Sequence, residues 1–214
     1  DPEMVLGIIA GGFAALTRSQ EGAEDVVRDG ADAMTAHQVG PRDFVLGIAA
    51  SGTTPYVRGA LERAVELGAH TGILACSPPD DSVLRLVDVA IIPITGAEPV
   101  TGSTRMKAGT ATKLVLNAIS TGAMIRIGKT FGNLMVDLRA MSAKLVDRGE
   151  RIVMEVTGVE RADARALIDG AGGSVRTAIV MQQRDFTREE AEQALRDAGG
   201  VVRRVVPHAP PPVE

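Results

Sequence analysis

Tryptophan is absent from this 214-residue chain, and aromatic residues make up only 2% of it. That excludes stacking platforms for bases and aromatic walls for sugars. A net charge of −4 lacks the basic face that nucleic-acid binding requires. Cys76 is the single cysteine, so no internal disulfide forms. Its place after Ile73-Leu74-Ala75 reads as core in a reduced, cytoplasmic protein. No uncharged apolar stretch of about 18 residues occurs, so no membrane span is expected, and no secretory signal either. His37, His70 and His208 are scattered, and none has a second ligand at helical spacing, so no metal site is expected. Both the Gly-x-Ser-x-Gly elbow of serine hydrolases and the GxxxxGK[ST] loop of nucleotide hydrolases are missing.

What is present is alternation. Residues 4–10 (MVLGIIA), 44–50, 71–76 and 89–94 are apolar runs of strand length, separated by turn residues and helical patterns. Strands alternating with helices predict a parallel sheet covered on both faces, with a ligand beyond the carboxyl ends of its strands. The loops at Gly11, Ser51, Ser77 and Thr95 would then converge. Pro93 inside the fourth run predicts an edge position or an early end. A short helix is expected at 13–18 and a loose one at 21–34, weakened by Gly30. A helix through 58–67 should end at Gly68. Because a strand begins almost at once, the sequence reads as starting mid-domain.

Further on, residues 101–127 predict a long helix capped by Thr101, Ser103 or Thr104. Met106, Leu114, Leu116, Ile119, Met124 and Ile127 form its apolar stripe, and Gly109 and Gly122 suggest close packing. A second long helix is expected over 134–156, ending at Gly158. Three short helices follow, at 161–168, 175–181 and 188–198. They form a subdomain of about 45 residues, near the lower limit for an independent core. The proline-rich tail PHAPPPVE reads as disordered.

The best candidate site is Ser51-Gly52-Thr53-Thr54, set between a buried strand and Pro55 of a helix start. Backbone N–H groups and the helix dipole attract an anion there, glycine permits close approach, and the hydroxyls donate to oxygens. The plain alternative is an ordinary strand-to-helix turn, where the same residues are common. The stretch Thr101-Gly102-Ser103-Thr104-Arg105-Met106-Lys107 is second, and an ordinary cap followed by a solvated basic face explains it equally well. Arg105 and Lys107, two apart, do not share a helix face. From position alone, the acidic cluster at 21–25 is most simply a favourable charge in a first helical turn.

These residues also carry a resemblance. AASGTTPYV is similar to the phosphate-side loop of sugar isomerase (SIS) domains. GIIAGG at 7–12, EGAED at 21–25, GIAASGTTPYV at 47–57, the block VTGSTRMKAGTATKLVLNAISTGAMIRIGKTFGNLMVDLRA from Val100 and TGVERADARALI…VRTAIVM from Thr157 resemble the N-acetylmuramic acid 6-phosphate etherases. The match runs in order to about Val206. Glucokinase-regulatory-type proteins are cousins that bind without catalysing.

The resemblance implies a flavodoxin-like, doubly wound α/β SIS domain over 1–156, incomplete at its N-terminus. A three-helix, ubiquitin-associated-like subdomain over 157–206 and a tail over 207–214 would follow it. It implies cleavage of the D-lactyl ether of N-acetylmuramic acid 6-phosphate by elimination and hydration, in a cytoplasmic homodimer, without metal or organic cofactor. The position matching the family's base is Glu24. Ser51, Gly52, Thr53, Thr54, Ser103 and Lys107 would line the phosphosugar site. No residue matches the family's general acid, and Thr53 stands where the family usually has arginine. Both departures predict little or no turnover by this chain alone, and they leave a second reading open, a phosphosugar-binding regulator that does not turn over substrate. A phosphosugar isomerase is disfavoured by the EGAED and TGSTRMKAGT matches.

Overall fold

A computed structural model describes residues 4–139 and 142–206. The chain forms two compact units, residues 1–116 and 117–214.

The first unit is built on a parallel sheet of β1 (Phe44–Ile48), β2 (His70–Leu74) and β3 (Val89–Ile91), in that spatial order. Phe44 pairs with His70 and Gly72 with Val89. As the middle strand, β2 is buried from Thr71 onward, as its unbroken apolar pattern predicts. Helix α2 (Pro55–Glu66) crosses from β1 to β2, and the single turn α3 (Asp81–Leu84) links β2 to β3. Leu61 of α2, Ile73, Ala75 and Val83 form the core beneath the sheet. Proline at the first position starts α2, and Gly68 in the left-handed region (φ 79°) follows its end. Strand β3 stops before Pro93 and lies at the sheet edge, as expected.

Helix α1 (Val27–Ala36) packs on α2 at backbone distance. A Cβ on Gly30 would sit 2.0 Å from the Tyr56 carbonyl oxygen, and one on Gly59 would sit 1.9 Å from that of Val27. Gly30 does not merely weaken the helix; it is the point of contact.

Three expectations fail. Residues 4–10 are not a strand: among the described residues no strand pairs with them, and Val5 is 80% exposed. Without a ladder partner the apolar run has nothing to hold it extended within a sheet. The parallel sheet therefore has three strands where the sequence suggests four. Part of 13–18 does turn, as a 3-10 segment at Phe13–Leu16.

The long helix over 101–127 starts later, as α4 (Lys107–Arg126). Gly122 meets nothing within 4 Å, and Gly109 has only the Thr104 carbonyl at 3.6 Å, so neither marks close packing. Along α4 only Ala108 is buried. Met106, Leu114, Ile119, Met124 and Ile127 are exposed, Leu114 by 57%.

The expected helix over 134–156 gives way, in its first part, to an antiparallel hairpin of β4 (Thr130–Phe131) and β5 (Leu134–Met135). Gly132 (φ 60°) turns that hairpin. Val136 and Leu138 then alternate inward, a strand period rather than a helical one. Only at Ser142, whose Oγ accepts from the Leu145 N–H at 3.4 Å, does α5 (Ala143–Thr157) begin, and Gly158 (φ 75°) ends it as expected.

Helices α6 (Arg161–Gly170), α7 (Val175–Arg184) and α8 (Arg188–Asp197) occupy the expected positions, followed by the turn α9 (Val202–Val205). A capping box between Thr187 and Glu190 starts α8. These helices share one core with α5 and the hairpin, through Phe131, Val153, Ile168, Val175, Ile179 and Val202. Inside that unit, Glu150 is 4% exposed. It accepts from Arg161 Nη1 at 2.7 Å and from Arg165 Nε, so the buried charge is paired. The tail expected to be disordered, 207–214, lies outside the described residues.

The glycine contact gives the first prediction. Gly30→Ala forces α1 and α2 apart, and overpacking of this kind costs about 1–3 kcal/mol. Urea unfolding followed by circular dichroism should show that loss, whereas Gly122→Ala, in open space, should not lower stability.

Candidate functional site

The site grows from the end of β1. The Ala49 N–H donates to the Leu74 carbonyl at 3.0 Å and Gly52 N–H to the Ala49 carbonyl at 2.9 Å, turning the chain sharply. Gly52 is buried at φ 77°, and a Cβ there would meet Pro79 at 3.0 Å. Only glycine meets both demands without strain. Around it, Ser51 Oγ lies 3.1 Å from Thr53 Oγ1 and accepts from the Thr53 N–H at 3.3 Å. Thr54 is the N-cap residue of α2, yet among the described residues no side chain makes a capping hydrogen bond at that helix end. The first turn of α2 thus presents its N–H groups and dipole beside the exposed side chains of Ser51 and Thr53.

The neighbouring strands end at the same edge. Cys76 N–H donates to the Ala50 carbonyl at 2.9 Å, and Thr95 N–H to the Cys76 carbonyl at 3.5 Å. Cys76 is buried, as its sequence context predicts, and its thiol approaches the Ala108 carbonyl at 3.6 Å and Thr112 Oγ1 at 3.7 Å. These contacts bring the start of α4 to the carboxyl edge of the sheet.

None of Thr101, Ser103 or Thr104 caps α4. Glu98 does: its Oε2 accepts from the Lys107 N–H at 3.0 Å and its Oε1 from the Ala108 N–H at 2.9 Å. The Ala108 and Lys107 N–H groups hold the Glu98 carboxyl below the ordinary glutamate range. Lys107 Nζ donates to the Ala97 carbonyl at 2.9 Å, and Ser103 Oγ accepts from Arg105 Nε at 2.9 Å. Arg105 and Lys107 thus have separate partners, as their spacing predicts. Glu98 was missed in the sequence because it precedes the helix by nine positions, beyond any local capping pattern.

Glu24 sits in a 3-10 turn, Ala23–Asp25, entered through Gly22 at φ 73°. That turn lies against α2, and the Gly11 loop touches it, since a Cβ on Gly11 would be 2.9 Å from Gln20 and 3.2 Å from Ala23. The Glu24 side chain is exposed, and among the described residues no hydrogen bond or ion pair engages its carboxylate. His70 lies at the opposite end of β2, 3.1 Å from Asp88, away from this edge. The structure therefore gathers 51–54, Cys76, Thr95 and the start of α4 at the sheet edge, and sets the Glu24 turn on the helix rising from it.

Comparison with known proteins first defines the class. The model of the glucokinase regulatory protein N-terminal SIS domain matches residues 2–65, the stretch that includes the Glu24 turn and the 51–54 loop. An N-acetylmuramic acid 6-phosphate etherase of Synechococcus elongatus is 50% identical over 206 residues, 96% of this chain and 67% of that relative. N-acetylmuramic acid 6-phosphate etherase 2 of Vibrio parahaemolyticus is 49% identical over 202 residues, 94% of this chain and 67% of its own length. An etherase of the same name from Klebsiella aerogenes is 49% identical over 205 residues, 96% of this chain and 68% of its own. The chain belongs to the N-acetylmuramic acid 6-phosphate etherase family.

Two measurements check the geometry. Gly52→Ala places a side chain in the left-handed region against Pro79 and should cost about 1–2 kcal/mol in urea unfolding. The second concerns acid. Because the folded Glu98 carboxyl is held low, its stabilising contribution is present above the ordinary glutamate range and vanishes as pH falls through the lowered value. Amide exchange at Lys107 and Ala108 should therefore keep its protection through the ordinary glutamate range and lose it only at lower pH, with no loss between about pH 5 and 7.

Proposed function

We propose that this chain cleaves the D-lactyl ether of N-acetylmuramic acid 6-phosphate, giving N-acetylglucosamine 6-phosphate and D-lactate. The observation that carries the reading is 50% identity over 206 residues to an etherase. That identity coincides with an uncapped helix N-terminus beside Ser51, Gly52, Thr53 and Thr54. On this reading the 6-phosphate meets the 51–54 loop and the first turn of α2. Ser103 and Lys107 line the site from the start of α4.

The chemistry follows from the substrate. Ring opening exposes an aldehyde, which makes the C2 proton acidic. The Glu24 carboxylate takes that proton, the electron pair forms the C2–C3 double bond, and the C3–O bond breaks. Lactate leaves with a proton from a general acid, a role assigned to no residue of this chain. Water then adds, hydroxyl to C3 and hydrogen to C2, so the sum is substrate plus water to sugar phosphate plus lactate. The substrate's own carbonyl stores the negative charge, so the reading requires neither metal nor organic cofactor.

The assembly we propose is a cytoplasmic homodimer. Exposed apolar side chains along α4 support the dimer, and a single buried cysteine fits a reducing compartment. Residues 1–156 serve as the doubly wound phosphosugar domain, and 157–206 as a structural, ubiquitin-associated-like subdomain. A second reading, a regulator that binds phosphosugar without turnover, is favoured by the regulatory-protein SIS match and by Thr53 in place of arginine.

Lactate release from N-acetylmuramic acid 6-phosphate decides between them. Glu24→Gln should lower the rate by at least about 100-fold, while Glu21→Gln should stay close to the parent. Equal rates for Glu24→Gln and parent would remove Glu24 as the base. Tight binding of the sugar phosphate with no lactate would establish the regulator instead.

A further inference from the structure

Two helices of eight residues or more begin at the carboxyl edge of the parallel sheet, and both N-termini offer N–H groups and a dipole to an anion. They differ in one respect. Among the described residues no side chain caps the start of α2, whereas the start of α4 holds both oxygens of Glu98 on the Lys107 and Ala108 N–H groups. We propose that Glu98 is a positioning residue of the phosphosugar site: it occupies the α4 N-terminus as a built-in anion, directs the phosphate to α2, and clasps the 99–106 loop that presents Ser103 and leads into Lys107. The inference rests on the phosphosugar reading above, and it names a residue that the resemblance does not assign.

The clasp is visible bond by bond. At the base of the loop, Glu98 accepts from two backbone N–H groups while Lys107 Nζ donates back to the Ala97 carbonyl at 2.9 Å. Within the loop, Ser103 N–H donates to the Val100 carbonyl at 3.0 Å and Arg105 Nε to Ser103 Oγ at 2.9 Å. Beyond it, the Cys76 thiol meets the Ala108 carbonyl, tying the base to the sheet edge. Bonds from N–H groups to a carboxylate are roughly twice as strong as neutral ones. A phosphate arriving at α4 would have to displace a carboxylate already seated there, while at α2 it displaces only water. Geometry also separates this role from that of a general acid: both Glu98 oxygens accept, and an ionised carboxylate has no proton to give.

The test uses the 214-residue chain, with amide exchange and amide chemical shifts read by NMR while N-acetylglucosamine 6-phosphate is added. In the parent, shifts should move at residues 52–57 and stay fixed at Lys107 and Ala108. Glu98→Gln keeps the reach but loses the charge and one acceptor, so amide exchange at Lys107, Ala108 and Ser103 should quicken by about fivefold or more. Sugar-phosphate affinity should fall by a similar factor, and 107–108 should now respond to the ligand. Glu98→Asp, one methylene too short to span both donors, should behave the same way and serves if the glutamine variant does not fold. Where lactate release is measurable, its pH profile should keep its shape in both variants.

Several results would overturn the proposal. Unchanged exchange at 107 and 108 would remove the clasp. Ligand shifts at 107–108 of the parent rather than at 52–57 would place the phosphate on the wrong helix. Loss of one limb of the pH profile would make Glu98 a proton-transfer group. A parent that neither binds the sugar phosphate nor releases lactate sinks the phosphosugar reading instead, and the exchange rates then still decide whether Glu98 orders the loop.

Discussion

Placing β2 between two parallel partners is the constraint on which the first unit depends. A strand paired on both edges and buried on both faces has no freedom of register, because a slip of one residue would reverse every side chain. Ile73 and Ala75 point into the core with Leu61 and Val83, and that choice sets where β1 and β3 must end. Parallel strands with aligned registers deliver their following loops to one edge. The 51–54 turn, the Cys76 backbone and Thr95 are therefore neighbours through hydrogen bonding rather than through any affinity between the loops themselves.

A second constraint carries the acidic turn to the site. Gly30 and Gly59 let α1 and α2 approach until carbonyl oxygens occupy the space that side chains would need. Because Ala23–Asp25 directly precedes α1, this close approach sets the turn against α2. The helix whose N-terminus faces the proposed phosphate is thus the helix that supports the proposed base. Glycine costs about 1 kcal/mol of helix propensity against alanine, and here that cost purchases the contact that sets the two parts of the proposed site against one helix.

The elements that were legible in the sequence are those with local causes. The 51–54 turn shows itself through glycine, hydroxyls and Pro55. Gly68 and Gly158 mark helix ends, because left-handed backbone excludes most other residues. What was not legible depends on partners distant in sequence. Residues 4–10 have the composition of a buried strand, but a strand exists only in a ladder, and composition does not state whether a neighbour is there. Of the hairpin at 130–135, only Leu134–Met135 falls inside the run read as a helix, and the partner strand that claims those residues precedes it. Gly109 and Gly122 look like packing points and are not, while Gly30 looks like a flaw and is a packing point. That difference lies in what faces each glycine, which no pattern within a single helix reports. Glu98 is the sharpest case, since the cap of α4 reaches across eight residues.

Thr53 bears on how the proposed phosphate would be held. An arginine between Gly52 and Thr54 would bring a fixed charge and a planar fork suited to two phosphate oxygens. Threonine brings one neutral hydroxyl, already within 3.1 Å of Ser51 Oγ. Binding at this loop then rests on the N–H groups of α2, its dipole and a pair of hydroxyls that orient each other. Such donors are individually weaker than a guanidinium, yet they are preorganised by the backbone and lose little freedom on binding. That arrangement makes the competing N-terminus matter more. A weakly charged cradle keeps its ligand only if no better anion site stands open nearby, and Glu98 seated on Lys107 and Ala108 closes the one that α4 would otherwise offer. The loss of positive charge at one helix start and the carboxylate at the other are therefore parts of one electrostatic arrangement at the sheet edge.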